Sequence, residues 1–197
     1  SITATTMAFM LRGFDPILAV TLAPADAFEL WQIPLFILLG VLCGLMAWYF
    51  TSMNSRVGGF FKSIDKQYKK WLWGGAILGI LIFVFPPLYG EGYEGFTSLM
   101  HGNAQELFNN SLFYRFRDID WVIILFVIAT MFFKVIAMST TNAAGGVGGT
   151  FAPSLFVGAF TGASLALVCN TLFGWEVSIV SFTPVSYTHL RAHETKA

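Results

Sequence analysis

Long uncharged runs alternate with short polar stretches along the chain. Residues 31–54 and 71–90 hold no charged side chain. Residues 120–140 form a third run, which carries Lys134, and residues 151–173 a fourth, again uncharged. Each approaches or exceeds the ~20 residues a helix needs to cross a ~30 Å hydrocarbon core. The pattern predicts four membrane-length helices. Residues 1–11 read as the end of an earlier helix that stops near Gly13-Phe14-Asp15-Pro16. Segment 94–100 is too short to span and is expected as a partial helix.

Composition agrees with a bilayer setting. Of 197 residues, 56% are hydrophobic and only 11% charged, against about 25% charged in soluble domains. Net charge is zero, so nothing points to a nucleic-acid partner. Cys43 and Cys169 lie in apolar runs and read as small buried hydrophobes rather than as a disulfide or metal pair. Trp31, Trp48, Trp71, Trp73, Trp121 and Trp175 fall near run ends, where amphipathic rings suit a membrane boundary or ordinary packing.

Charge separates the loops. Residues 55–70 carry Arg56, Lys62, Lys66, Lys69 and Lys70 against Asp65 alone, whereas 91–120 is predominantly acidic. Short lysine-rich loops stay on the cytoplasmic side, so 55–70 is expected inside and 102–119 outside. Glycines four apart at Gly40/Gly44, Gly75/Gly79 and Gly158/Gly162 predict close helix packing.

The stretch "GGVGGTFAPSLFVGAFTG", from Gly145 to Gly162, has no charge. Gly145, Gly146, Gly148 and Gly149 permit backbone turns that other residues avoid, and a helix is expected to start at Thr150–Phe151, with Pro153 in its first turn. The amides of a first helical turn lack intrahelical partners and carry roughly half a positive charge. They can receive an anion. A phosphate loop would need a lysine, and no lysine or arginine lies between Val135 and Trp175. Glycines used only for helix packing remain the competing reading.

Gly149-Thr150-Phe151-Ala152-Pro153, continued by Ser154-Leu155-Phe156-Val157-Gly158-Ala159, resembles the G-x-F-x-P motif of the CLC chloride channel and transporter family. Lys134-Val135-Ile136 with the Ser/Thr/Gly run after it, and Pro86-Pro87-Leu88-Tyr89-Gly90-Glu91-Gly92, are similar to that family as well, and the likeness covers most of residues 1–183. It implies an all-α, polytopic membrane fold: a fragment of the inverted-repeat CLC architecture, holding the end of the first half and the opening helices of the second. It also implies homodimers of the full-length protein, each subunit with its own chloride pathway. The backbone amides of Thr150 and Phe151 match the positions that bind the anion. Thr150 departs from the aliphatic residue common there, which a main-chain contact should tolerate. The family's filter serine, gating glutamate and inner glutamate would precede Ser1, and its pore tyrosine would follow the chain, so channel and proton-coupled antiporter are not separated.

Lys134 is a candidate electrostatic influence on that pathway; the alternative is a lysine snorkelling to an interface or paired with a carboxylate. Glu91 and Glu94 read as helix caps, and His101 stands without metal-ligand spacing. The tail 184–197, "PVSYTHLRAHETKA", resembles translated sequencing-adapter DNA and is read as non-native, which sets aside a metal site at His189 and His193. The expectation is a multi-pass protein of a bacterial inner (plasma) membrane. It embeds in the lipid bilayer, carries chloride as its transported ligand, and performs no covalent chemistry with any cofactor. A packing segment of an unrelated membrane-embedded enzyme or assembly protein is the alternative.

Overall fold

A computed structural model describes residues 32–90, 93–100, 104–109, 111–116, 119–175, 177, 179 and 182–183. The expected early helix at 1–11, residues Glu91 and His101, the side chain of Glu94 and the tail 184–197 lie outside the described residues. The described elements are helical, with no strand among them. Helix α1 is Ile33–Lys62, α2 is Gln67–Val84, α3 is Tyr93–Met100, α4 is Asp120–Ala143 and α5 is Phe151–Phe173. Short 3-10 turns at Pro86–Leu88, Ala104–Phe108 and Tyr114–Phe116 fill the connection from α2 to α4.

Three of these helices are long and apolar enough to cross a membrane: Ile33–Lys62, Asp120–Ala143 and Phe151–Leu172. The expected fourth span, 71–90, is shorter. Pro86 disfavours helical geometry at the residue before it, and Phe85 is accordingly extended at φ −123°, ψ 84°. The uncharged part of α2, 71–84, then measures about 21 Å, short of a ~30 Å core. Helix α1 departs in the other direction. It passes the expected end at 54 and runs 30 residues to Lys62, about 45 Å. No proline interrupts 55–62, and the buried ring of Phe61 anchors the last turn beside Gly74 of α2. The basic loop of the sequence is therefore mostly helix, with a linker of only Ser63 to Lys66. The partial helix expected at 94–100 is present as α3.

One stripe of α1 (Leu35, Leu39, Cys43, Met46, Ala47, Phe50) is buried at helical spacing. Its first half packs with Leu165, Ala166 and Cys169 of α5. Its second half joins a larger core with Phe126, Val127 and Met131 of α4 and Phe156, Val157 and Phe160 of α5. Cys43 and Cys169 are buried and unbridged. The opposite face of α1 exposes Ile37, Val41, Leu45 and Trp48. A helix apolar on all sides fits lipid on one face and protein on the other. Helices α4 and α5 run antiparallel: Thr161 Oγ1 donates to Met131 Sδ at 3.1 Å, while Phe156, nearer the start of α5, lies against Lys134.

The glycine pairs of α1 and α2 do not behave as expected within this chain, whereas Gly158 and Gly162 of α5 are both buried. A Cβ at Gly40, Gly44, Gly75 or Gly79 would meet nothing within 4 Å. Close packing occurs at Gly74 and Gly95. A Cβ at Gly74 would stand 2.5 Å from Ala144 Cβ, and one at Gly95 would stand 3.3 Å from Leu107. Spacing four apart makes a groove; it does not say whether a neighbour fills it. The Gly74–Ala144 contact brings α2 against the end of α4. Gly74→Ala should therefore lower stability by about 1–3 kcal/mol through overpacking, and adding Ala144→Gly to the same chain should restore most of it. Thermal unfolding of the detergent-solubilised full-length protein checks this; a loss unchanged by Ala144→Gly would contradict the contact.

Candidate functional site: a cleft at the start of α5

Helix α4 stops at a two-bond glycine turn. Gly145 N donates to Asn142 O at 3.2 Å, and Gly146 N donates to Thr141 O at 2.9 Å. This is the Schellman arrangement, which needs a left-handed residue after the helix. Gly145 supplies it at φ +97°. Space is also restricted there. A Cβ at Gly145 would come within 2.8 Å of Gln67 Nε2, one at Gly146 within 2.8 Å of Thr141 O, and one at Gly148 within 2.9 Å of Asn142 Oδ1. The loop thus folds back over the last turn of α4, with the first turn of α2 behind it.

Helix α5 starts beyond the loop, with Thr150 as its N-cap. Its i−4 bonding opens with Ser154 N donating to Thr150 O at 3.0 Å. Thr150 makes no side-chain cap to the first-turn amides. That alone marks nothing, since α1, α2 and α4 also lack one. What distinguishes α5 is where it starts: Phe151, Ala152 and Pro153 line a cleft of about 580 Å³.

Four further parts of the chain join the start of α5 in building the cleft. The turn after α2 contributes Leu88, Tyr89 and Gly90, and α2 itself contributes Leu78 and Ile82. Helix α4 contributes Lys134, Ala137, Met138, Thr141 and Asn142, spaced as a single helical face. Loop residues Val147, Gly148 and Gly149 close it. Of the residues singled out in the sequence, Lys134, Gly148, Gly149, Phe151 and Pro153 line this space. Gly145 and Gly146 form the turn behind it, and Thr150 is exposed at the helix N-cap, outside the lining.

Lys134 is 3% exposed. Its Nζ donates to Leu88 O at 3.1 Å and to Gly90 O at 2.8 Å. The same ammonium lies 4.9 Å from the centre of the Phe156 ring, which stacks on Phe160. A buried ammonium requires such partners. The lysine neither snorkels to an interface nor stands idle: it ties α4 to the 86–90 turn and to the first two turns of α5. Sequence reasoning missed its acceptors, which lie 44 and 46 residues away. It also missed Asn142 and Thr141. Their spacing of seven and eight from Lys134 was the available signal.

The N-terminus of α5 and the Lys134 ammonium both lie at the cleft. The N-terminus of α5 brings a partial positive charge, and the Lys134 ammonium adds to it while two carbonyls and a ring face disperse it. The remaining lining is mixed: Leu78, Ile82, Leu88, Ala137, Met138 and Val147 are apolar, and Tyr89, Thr141 and Asn142 are polar. Lys134→Met removes the donor from both carbonyls and should lower stability by roughly 1–3 kcal/mol, with Lys134→Arg losing less. Unfolding of the full-length protein in detergent measures this, and a Lys134→Met protein as stable as the parent would contradict the clamp.

A family profile described as voltage gated chloride channel matches residues 1–192. The chain is 28% identical over 167 residues to "Chloride channel protein CLC-e" of Arabidopsis thaliana, covering 79% of this chain and 22% of that protein. It is 30% identical over 171 residues to "Chloride channel protein CLC-f" of the same plant, covering 83% of this chain and 20% of the relative. The chain therefore spans about a fifth of the length of these relatives. No solved structure matches it. With membrane-length helices around a cleft bordered by the glycine-rich loop, this integral multi-pass membrane chain belongs to the voltage gated chloride channel family.

Proposed function

We propose that the cleft is one wall of a transmembrane chloride pathway, with the backbone amides of Thr150 and Phe151 receiving the anion. The observation that carries this reading is the start of α5, which opens into the cleft shared with Lys134. Amide dipoles and a dispersed ammonium offer attraction without a full charge at contact, as conduction requires an anion that can also leave. Lys134 acts on the pathway electrostatically and by holding the Pro86–Leu88 turn in place. The transported species is chloride; no cofactor and no covalent step take part.

Membership of a channel family favours transport over the alternative of a packing segment in an unrelated membrane enzyme. The remaining walls come from parts of the full-length protein beyond this chain, and the full protein works as a homodimer. Whether transport is a channel flow or a proton-coupled exchange is read from proton movement accompanying chloride. A bacterial inner membrane is the proposed setting; the relatives are plant proteins.

Gly149 offers the cleanest test of an anion here, because a Cβ at that position meets nothing closer than 3.9 Å. Gly149→Asp should lower chloride efflux from liposomes at least tenfold, which is about 1.4 kcal/mol. The neutral Gly149→Asn, nearly the same size, should keep most of it. Equal efflux from the two variants in the full-length protein would argue against an anion passing this loop.

A further inference from the structure

The elbow between α1 and α2 concentrates cations. Arg56, Lys62, Lys66 and Lys69 are exposed and Lys70 is half-buried, with Asp65 as the sole acid between Arg56 and Lys70. Helical spacing sorts the first two turns of α2 into two faces. Lys69, Lys70 and Trp73 fall on one, with Lys66 at the N-cap just before the helix. Gln67, Trp71 and Gly74 fall on the adjoining one. The second face meets the glycine loop: a Cβ at Gly145 would come within 2.8 Å of Gln67 Nε2 and 3.4 Å of Trp71 Nε1, and one at Gly74 would strike Ala144. The first face is open. Trp73 on this face is more than half exposed, as are Tyr68 and Trp71 at neighbouring positions, and Lys66 Nζ lies 5.9 Å from the Tyr68 ring centre.

Clustered lysines next to a membrane-entering helix attract anionic lipid, and exposed tryptophans settle at headgroup level. Both signatures coincide on a helix whose next face leans on the loop before α5. We propose that the Lys66–Lys69–Lys70 cluster binds anionic phospholipid headgroups and thereby braces the Gly145 turn, so that anionic lipid raises chloride flux. The coupling rests on the pathway reading above. The headgroup site does not. Headgroup contact fixes the elbow, Gln67 and Trp71 hold Gly145 from behind, and the loop keeps the conformation in which the start of α5 faces the cleft.

The test uses full-length protein in vesicles of phosphatidylcholine alone or with about one-third phosphatidylglycerol. Two readouts are taken: chloride efflux, and phosphatidylglycerol retained over phosphatidylcholine in native mass spectrometry. Wild-type efflux should rise threefold or more with phosphatidylglycerol. The triple variant Lys66→Gln, Lys69→Gln, Lys70→Gln should lose both the rise and the preferential retention, and the matching Lys→Arg triple should keep both. The substituted side chains are mostly exposed, and gel filtration shows whether the variants remain folded. Equal retention by wild type and the Gln triple overturns the headgroup site. Retention that differs as expected, with efflux indifferent to lipid, overturns the coupling. No efflux from wild type in either lipid overturns the pathway reading and the coupling with it, while the retention result still decides the headgroup site.

Discussion

A main-chain amide or carbonyl at membrane depth must find its partner inside the protein, because lipid offers none. Two interruptions of helix border one cleft here, and each finds main-chain partners within the chain. After α2, the turn through Pro86–Leu88 leaves carbonyls that Lys134 Nζ takes up at Leu88 and Gly90. After α4, Gly145 and Gly146 return their amides to Asn142 and Thr141. Both breaks border the same cleft. Regular helix cannot build such a space, since its polar groups are consumed by its own ladder. The cleft exists because the breaks are placed together and closed off by one buried ammonium and one glycine turn.

The amino-acid pattern made much of this legible. The uncharged run 151–173 coincides with α5, and the run 120–140 differs from α4 by three residues at its end. The glycine loop could be placed before the helix because its residues have few other uses. Helix ends were less legible. Hydropathy counted Pro86 and Pro87 with the apolar run, while backbone sterics end α2 at Val84. It also placed Arg56 and Lys62 in a loop, although α1 carries both. Solubility preference and helix propensity are separate properties, and a charged residue can sit in a helix that outlasts the membrane.

Pairwise contacts were the least legible. Gly74 belongs to no four-residue pair that was singled out, yet it is the glycine that admits Ala144. The pairs that were singled out in α1 and α2 face open space in this chain. Lys134 was marked because a charge in an apolar run is unusual, and it does occupy the cleft wall. Its acceptors could not be found by periodicity, because tertiary approach alone brings Leu88 and Gly90 to it. Of the two amides assigned to the anion, Phe151 belongs to a residue lining the cleft and Thr150 to the cap beside it. The start of α5, the buried lysine and a lining that mixes apolar residues with Thr141 and Asn142 meet at one cleft.

The most direct test is anomalous diffraction from crystals of the full-length protein soaked in bromide, a heavier halide that follows chloride. A bromide peak within hydrogen-bonding distance of the Thr150 and Phe151 amides, at the mouth of α5, is the expected result. Bromide bound elsewhere in the membrane region, with none at those two amides, would contradict the assignment of this helix start as the anion contact.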